Sequence, residues 1–227
     1  MTAAVSPRWE DPRTVAGFVS SPPNAVLLDF AARRLTRAGA WCLDLGCGAA
    51  RNALPLAELG YRVVGTDLAM PMLEAARQRV REAGSTPGAV SLVRASMAPL
   101  PLADAQFDLV VAHGIWNLAR SGLEFRAALA EAARVARPGA GLFLFTFSRH
   151  TLSSHAAPDP GESFVFSSWN GEPQCFLSEA EIFEELGRVG FVVDPPGPLT
   201  EYNRRRPGEL PAGGPPVIYE GTFQKGV

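Results

Sequence analysis

The sequence predicts a doubly wound, Rossmann-like α/β domain. It should hold a seven-stranded, mainly parallel sheet with the last strand antiparallel and helices on both faces. Three observations carry this. Short apolar runs alternate with helical patterns through the first two thirds of the chain. A glycine-rich turn joins the first of those runs to the helix after it. The last two runs follow each other with no helical pattern between them, so the final strand is free to return antiparallel.

Residues 24–38 read as a helix, with Val26, Leu27, Phe30, Ala31 and Leu35 on one face. Residues 40–45 (AWCLDL) form a compact apolar run ending at Gly46, a buried strand. Residues 52–59 read as a helix stopped by Gly60, and 61–66 (YRVVGT) as the second strand. A helix over 71–83 follows, with Pro71 suited to its first turn and Gly84 to its end. Residues 90–94 (VSLVR) and 107–112 (FDLVVA) are the third and fourth strands. A helix over 122–136 stops at Arg137-Pro138-Gly139, and 141–147 (GLFLFTF) is apolar nearly throughout, as a central strand should be. Residues 149–177 are irregular and polar, yet carry Phe164, Phe166 and Trp169, which marks a candidate lid. Ser178 to Glu181 is a capping box opening a helix to Val189. Residues 191–193 and, after a Pro/Gly-rich stretch over 195–216, residues 217–223 (VIYEGTF) are the last strands.

The 227 residues suit one domain: an N-terminal lid and helix (1–39), a cofactor-binding core (40–148), a loop (149–177) and a C-terminal helix with strands (178–227). A 47% hydrophobic content supplies a core. The net charge of −2 gives no general attraction to nucleic acid or an anionic membrane, and Arg204, Arg205 and Arg206 form the one basic cluster. Three cysteines, odd in number and without metal-ligand spacing, fit a reducing cytoplasm and no metal. Neither a leader nor a membrane span is legible. The expected partner is a small molecule, and the expected assembly a monomer or homodimer. Segment 8–23 is a second lid candidate, anchored by Trp9 and Phe18.

Leu43-Asp44-Leu45-Gly46-Cys47-Gly48-Ala49-Ala50-Arg51-Asn52 lies between strand and helix. Gly46 and Gly48 permit positive φ and close approach of backbone to a ligand. Asp44 sits at the strand's end, facing the crevice where open α/β sheets bind ligands. Asp67 ends the second strand about 20 residues on, placed to accept from two ribose hydroxyls. A dinucleotide site asks for a third glycine where Arg51 stands, and Asp44 would repel a pyrophosphate. Asp44 suits a cationic amino group instead.

LDLGCG (43–48), GYRVVGTDLA with MLEAAR (60–77), FDLVVAHG (107–114) and RVARPGAGLFLF (134–145) together resemble the class I S-adenosylmethionine-dependent methyltransferases. The Arg-Asn pattern after the glycines resembles the tellurite-resistance and thiol-type branch, whose members act on small molecules. The resemblance implies S-adenosylmethionine as cofactor and S-adenosylhomocysteine as product. It implies that Asp44, Gly46, Cys47, Gly48 and Asn52 cradle the methionine end. Asp67 would hold the ribose, Leu68 would flank the adenine, and Ser96 and Met97 would lie at its edge. His113 and Gly114 would lie near the sulfonium. Ala50, Ser96 and Ala69 depart from the family's usual glycine, aspartate and serine. His113, where the fourth strand opens into the crevice, is the candidate base, although in-line displacement can proceed by alignment alone. Trp116, Asn117, Tyr202 and Arg204 are candidate acceptor contacts. The implied activity is methyl transfer to an oxygen, nitrogen or sulfur nucleophile. The alternatives are a nicotinamide-dependent reductase, or a module that binds S-adenosylmethionine without catalysis.

Overall fold

The computed structural model describes residues 6–84, 88–194, 199–204 and 215–226. Two N-terminal helices come first. Helix α1 (Pro12–Ser20) is capped by Asp11, whose side chain accepts from Arg13 N and Thr14 N. Helix α2 (Ala25–Arg34) is capped by Asn24 and buries Leu27, Phe30 and Ala31. It ends four residues before the expected Ala38, because Leu35 is already extended. The core then runs β1 (Trp41–Leu45), α3 (Ala53–Glu58), β2 (Arg62–Asp67), α4 (Met70–Glu82), β3 (Val90–Arg94), β4 (Phe107–His113), α5 (Gly122–Val135) and β5 (Ala136–Phe147). A short pair, β6 (Val165–Phe166) and β7 (Gln174–Cys175), precedes α6 (Glu179–Arg188) and its capping box from Ser178 and Glu181. The chain closes with β8 (Phe191–Val193), β9 (Thr200–Tyr202) and β10 (Ile218–Lys225).

The main sheet has the order β3-β2-β1-β4-β5-β10-β8, with β9 also paired to β10. β1 through β5 pair in parallel, and β10 runs antiparallel to β5, β8 and β9. The expected seven strands are therefore eight. Thr200–Tyr202 was missed because three residues between proline-rich stretches show no alternation. β5 also starts five residues earlier than expected. The run Ala136–Ala140 pairs with β4 through an irregularity that absorbs Pro138 and Gly139. Strand order reverses between β1 and β4, so the crevice at their carboxyl ends is the switch point of the sheet.

Register sorts the side chains onto two faces. Asp44, Val111 and Phe143 lie in one row, and His113, Phe145 and Glu220 in the next, facing α2 and α3. Leu45, Ala112 and Leu144 face α5 and the β6–β7 pair. That second face explains the aromatics of 149–177. Phe164 is 2% exposed and packs edge-on against Phe125 of α5 at 5.1 Å, with Arg126 over its ring. Phe166 and Trp169 both contact Phe176. Phe164 and Phe166 are core, which corrects their reading as a lid, and Trp169 is half-buried against Phe176. Phe164→Ala should therefore cost about 3–5 kcal/mol of stability in urea unfolding while leaving ligand affinity unchanged. A lid residue would do the reverse.

Candidate cofactor site at the carboxyl edge of the sheet

The glycine-rich turn takes three left-handed residues: Gly46 (φ 64°), Gly48 (φ 52°) and Ala50 (φ 59°). Ala50 thus holds its Cβ in the conformation glycine adopts freely, and that Cβ is fully buried. Gly46 has no such room, since a Cβ there would lie 2.7 Å from Ile115 Cδ1. The turn is tied to β2 at two points. Cys47 N donates to Thr66 O at 2.9 Å, and Gly48 N donates to Asp67 Oδ2 at 2.9 Å. Asp67 Oδ1 accepts from Ala69 N at 2.9 Å, which starts α4 in place of the missing serine cap. Asp67 is half-buried, and burial raises its carboxyl, with the backbone bonds opposing. Each oxygen keeps a lone pair for a further donor.

Asp44 is 2% exposed, and among the described residues its buried Oδ2 has no hydrogen-bond partner. Burial pushes its carboxyl up to about 7, with Arg51 opposing and Asp67 adding to the rise. A buried, unpaired carboxylate beside a left-handed turn calls for a cationic donor. The ammonium of a methionine moiety meets that need, and Asp67 suits a ribose. The residues present therefore fit S-adenosylmethionine.

The other expected site residues divide. Cys47 is buried with its Sγ against Gly65, and burial raises its thiol, so it fills space. Asn52 Oδ1 accepts from Asn24 N at 3.0 Å, so its carbonyl holds the start of α2. Leu68 is half-buried beside Asp67. Ser96 Oγ faces its own turn at Ala98 N, and Met97 belongs to the buried core. Gly114 (φ 73°) donates to Phe145 O and ends β4. Trp116 and Asn117 are 1% and 2% exposed, and Trp116 packs on Phe125. Among the described residues, Trp116 Nε1 and Asn117 Oδ1 are buried without a hydrogen-bond partner, as Asp44 Oδ2 is. Tyr202 donates to Glu220 Oε1 at 2.9 Å, and Arg204 pairs with Glu201 at 3.1 Å. Arg205 and Arg206 lie outside the described residues.

His113 reaches the crevice but is held there. Its ring stacks on Phe145 at 4.1 Å. Arg51 Nη2 lies 3.1 Å from Nδ1, and Asn24 Nδ2 lies 3.2 Å from Nε2. Burial first, then the Arg51 charge, push the imidazole down to about 3. It is neutral at pH 7 and a weak proton acceptor. Asn24 also donates to Glu220 Oε2 at 2.6 Å, and Glu220 is 4% exposed. Asn24 and Glu220 were not singled out from sequence, and Arg51 was read there only as part of the glycine-turn pattern. The one available signal was a charge inside the apolar run VIYEGTF.

Helix α1 lies across this site. It buries no residue completely, and its Phe18 ring sits 3.3 Å from where a Cβ on Gly48 would be. Trp9 packs edge-on against Phe18 at 5.7 Å. An open groove between α1 and Pro71, lined by Glu10, Pro12, Val15, Ala16 and Val19, is separate from Asp44.

Residues 43–145 match the family described as a methyltransferase domain. The chain is 32% identical over 187 residues to an O-methyltransferase of Aspergillus sclerotiorum, covering 78% of this chain and 67% of that one. It is 36% identical over 158 residues to a demethylmenaquinone methyltransferase of Corynebacterium urealyticum, covering 65% and 63%. The chain spans half to two thirds of the length of its first curated relatives. Among solved structures, an S-adenosylmethionine-dependent methyltransferase of Methanosarcina mazei superposes with a TM-score of 0.68 at 21% identity, covering 91% and 100% of the two chains. By these matches and the fold that frames the glycine turn, the chain belongs to the class I S-adenosylmethionine-dependent methyltransferases.

Proposed function

We propose that this chain transfers the methyl group of S-adenosylmethionine to a small-molecule nucleophile. The observation that carries the reading is the unpaired Asp44 Oδ2, buried beside the turn and calling for a cation. When bound, S-adenosylmethionine supplies an electrophilic methyl carbon on a sulfonium. The chain's own residues do the rest. Asp44 accepts from the ammonium, Asp67 accepts from the ribose hydroxyls, and Leu68 flanks the adenine. Gly46, Cys47 and Gly48 line the methionine end with backbone. His113 and Gly114 border the reacting centre, where neutral, stacked His113 positions rather than titrates. Alignment of an acceptor against the methyl carbon then supplies much of the rate.

A small acceptor is favoured because relatives include O-methyltransferases and quinone-biosynthesis methyltransferases. The Arg51-Asn52 pattern favours the tellurite-resistance and thiol-type branch, while those relatives include both an O-methyltransferase and a C-methyltransferase. The net charge of −2 argues against nucleic acid. No helix among the described residues is long and apolar enough to cross a membrane. Cys42, Cys47 and Cys175 are buried free thiols, which suits a reducing cytoplasm, and the assembly proposed is a monomer or homodimer. The test is release of S-adenosylhomocysteine on mixing protein and S-adenosylmethionine with panels of hydroxyl, thiol and amine acceptors, and with bulk RNA and DNA. Turnover on a small acceptor alone is the expected result. Turnover on nucleic acid alone rejects the reading.

A further inference from the structure

Arg51 follows the glycine-rich turn and brings a half-buried positive charge to the crevice. Among the described residues it forms no ion pair. Its hydrogen bonds are poor as well. Nη1 reaches Pro22 O at 3.5 Å, and Nη2 lies 3.1 Å from His113 Nδ1 and 3.5 Å from Nε2. Neutral His113 has one lone pair and one N–H to offer. Asn24 Nδ2 donates to Nε2 at 3.2 Å, and its amide cannot flip, because Asn24 Oδ1 accepts from Leu27 N at 2.9 Å. The lone pair therefore sits on Nε2 and is taken, and the proton sits on Nδ1, facing the guanidinium. Donor meets donor there. A guanidinium carries several N–H donors, and this one is left with a single carbonyl at the edge of hydrogen-bonding distance. Burial lowers its proton affinity, with the charge of Asp44 opposing.

Asp44 is in the opposite position. Its buried Oδ2 accepts from nothing among the described residues. Each group feels the other: Arg51 lowers the Asp44 carboxyl, and Asp44 raises the Arg51 guanidinium. The two do not touch. Opposite charges left unpaired at the two ends of one turn call for a ligand that carries both. The ammonium and carboxylate of an α-amino acid share one carbon and meet that demand. The turn's own amides offer the carboxylate little. Cys47 N is engaged by Thr66 O, Gly48 N by Asp67 Oδ2 and Ala50 N by Cys47 O. An anionic oxygen accepting from both Arg51 and His113 Nδ1 also removes the clash of donors.

We propose that Arg51 holds the carboxylate of the cofactor's amino-acid end, so that Asp44 and Arg51 together select the intact zwitterion. This rests on the methyl-transfer reading above. Arg51 leaves His113 for the carboxylate, and His113 donates to the same group through Nδ1. Both residues bind and orient, and no proton changes hands.

The experiment is calorimetric titration with S-adenosylmethionine and with decarboxylated S-adenosylmethionine. The second ligand keeps the ammonium, sulfonium, ribose and adenine and lacks the carboxylate. No acceptor is present, so a carboxylate on the cofactor is tested apart from one on an acceptor. The wild type should bind S-adenosylmethionine about 30–100-fold more tightly than the decarboxylated form. Arg51→Met should bind the two within about threefold of each other, by losing affinity for S-adenosylmethionine. Arg51→Lys keeps the charge without the planar fork and should retain a preference of about tenfold. Both ligands carry the ammonium, so a change at Asp44 caused by either substitution cancels in the ratio. The wild-type ratio needs no variant, and it stands even where a substitution disturbs the fold. Equal wild-type affinity for the two ligands overturns the proposal and assigns the guanidinium to an acceptor's carboxylate instead. A preference kept at full strength in Arg51→Met overturns it too, since the carboxylate is then read elsewhere. If the wild type binds neither ligand, the methyl-transfer reading falls as well.

Discussion

Asp44→Asn should stabilise the ligand-free protein above about pH 7 and weaken S-adenosylmethionine binding about 10²-fold or more. Both effects come from one buried carboxyl. Its ordinary value of 3.8 is raised to about 7 in the folded chain, by burial first, with Arg51 opposing. A group raised on folding contributes stability that is full below its unfolded value and lost as pH climbs through the folded one. That window runs from about pH 4 to about pH 7. Above it, the ionised, unpaired Asp44 costs the ligand-free fold up to about 4 kcal/mol. Asparagine keeps the shape without the charge, so the cost disappears. With it goes the counter-charge for an ammonium. Thermal melts of ligand-free protein at pH 5 and pH 8, paired with calorimetry, check this. The wild type should lose more stability across that interval than the variant. Its cofactor affinity should fall as pH drops below about 7. Identical melts and unchanged affinity in Asp44→Asn would remove Asp44 from the site.

Asp67→Ala should weaken cofactor binding by about 10²-fold and cost about 1–3 kcal/mol of stability. The second effect follows from the two backbone bonds Asp67 accepts, from Gly48 N and Ala69 N, which join the glycine turn to the start of α4. The first follows from the lone pairs left for ribose hydroxyls. The two separate experimentally. The wild type should bind a 2′-deoxy analogue of S-adenosylhomocysteine more weakly than the parent compound, and Asp67→Ala should bind both alike. If the variant still discriminates between them, the ribose assignment is wrong.

How much of this was legible in the sequence depended on how local each feature is. The parallel core was readable because each β-α unit carries its own period and its own stop signal, as in AWCLDL before Gly46. The placement of Asp44, Gly46, Gly48 and Asp67 at strand ends and in the turn between them was readable for the same reason. β9 was not readable, since Thr200–Tyr202 becomes a strand only by pairing with β10. The rings of 149–177 looked like a lid because nothing nearby in sequence could bury them, and Phe125 of α5 does so from a distance. His113 shows the point most sharply. It sits at a strand end pointing into the crevice, which made it the natural base. Its proton affinity is set by Arg51 and Asn24, which lie 62 and 89 residues away.

Calorimetric titration with S-adenosylmethionine, S-adenosylhomocysteine and NADPH tests the central claim most directly. The account predicts binding of the first two and none of the third, with affinity falling below about pH 7 as Asp44 takes up its proton. Binding of NADPH with no binding of S-adenosylmethionine would contradict it.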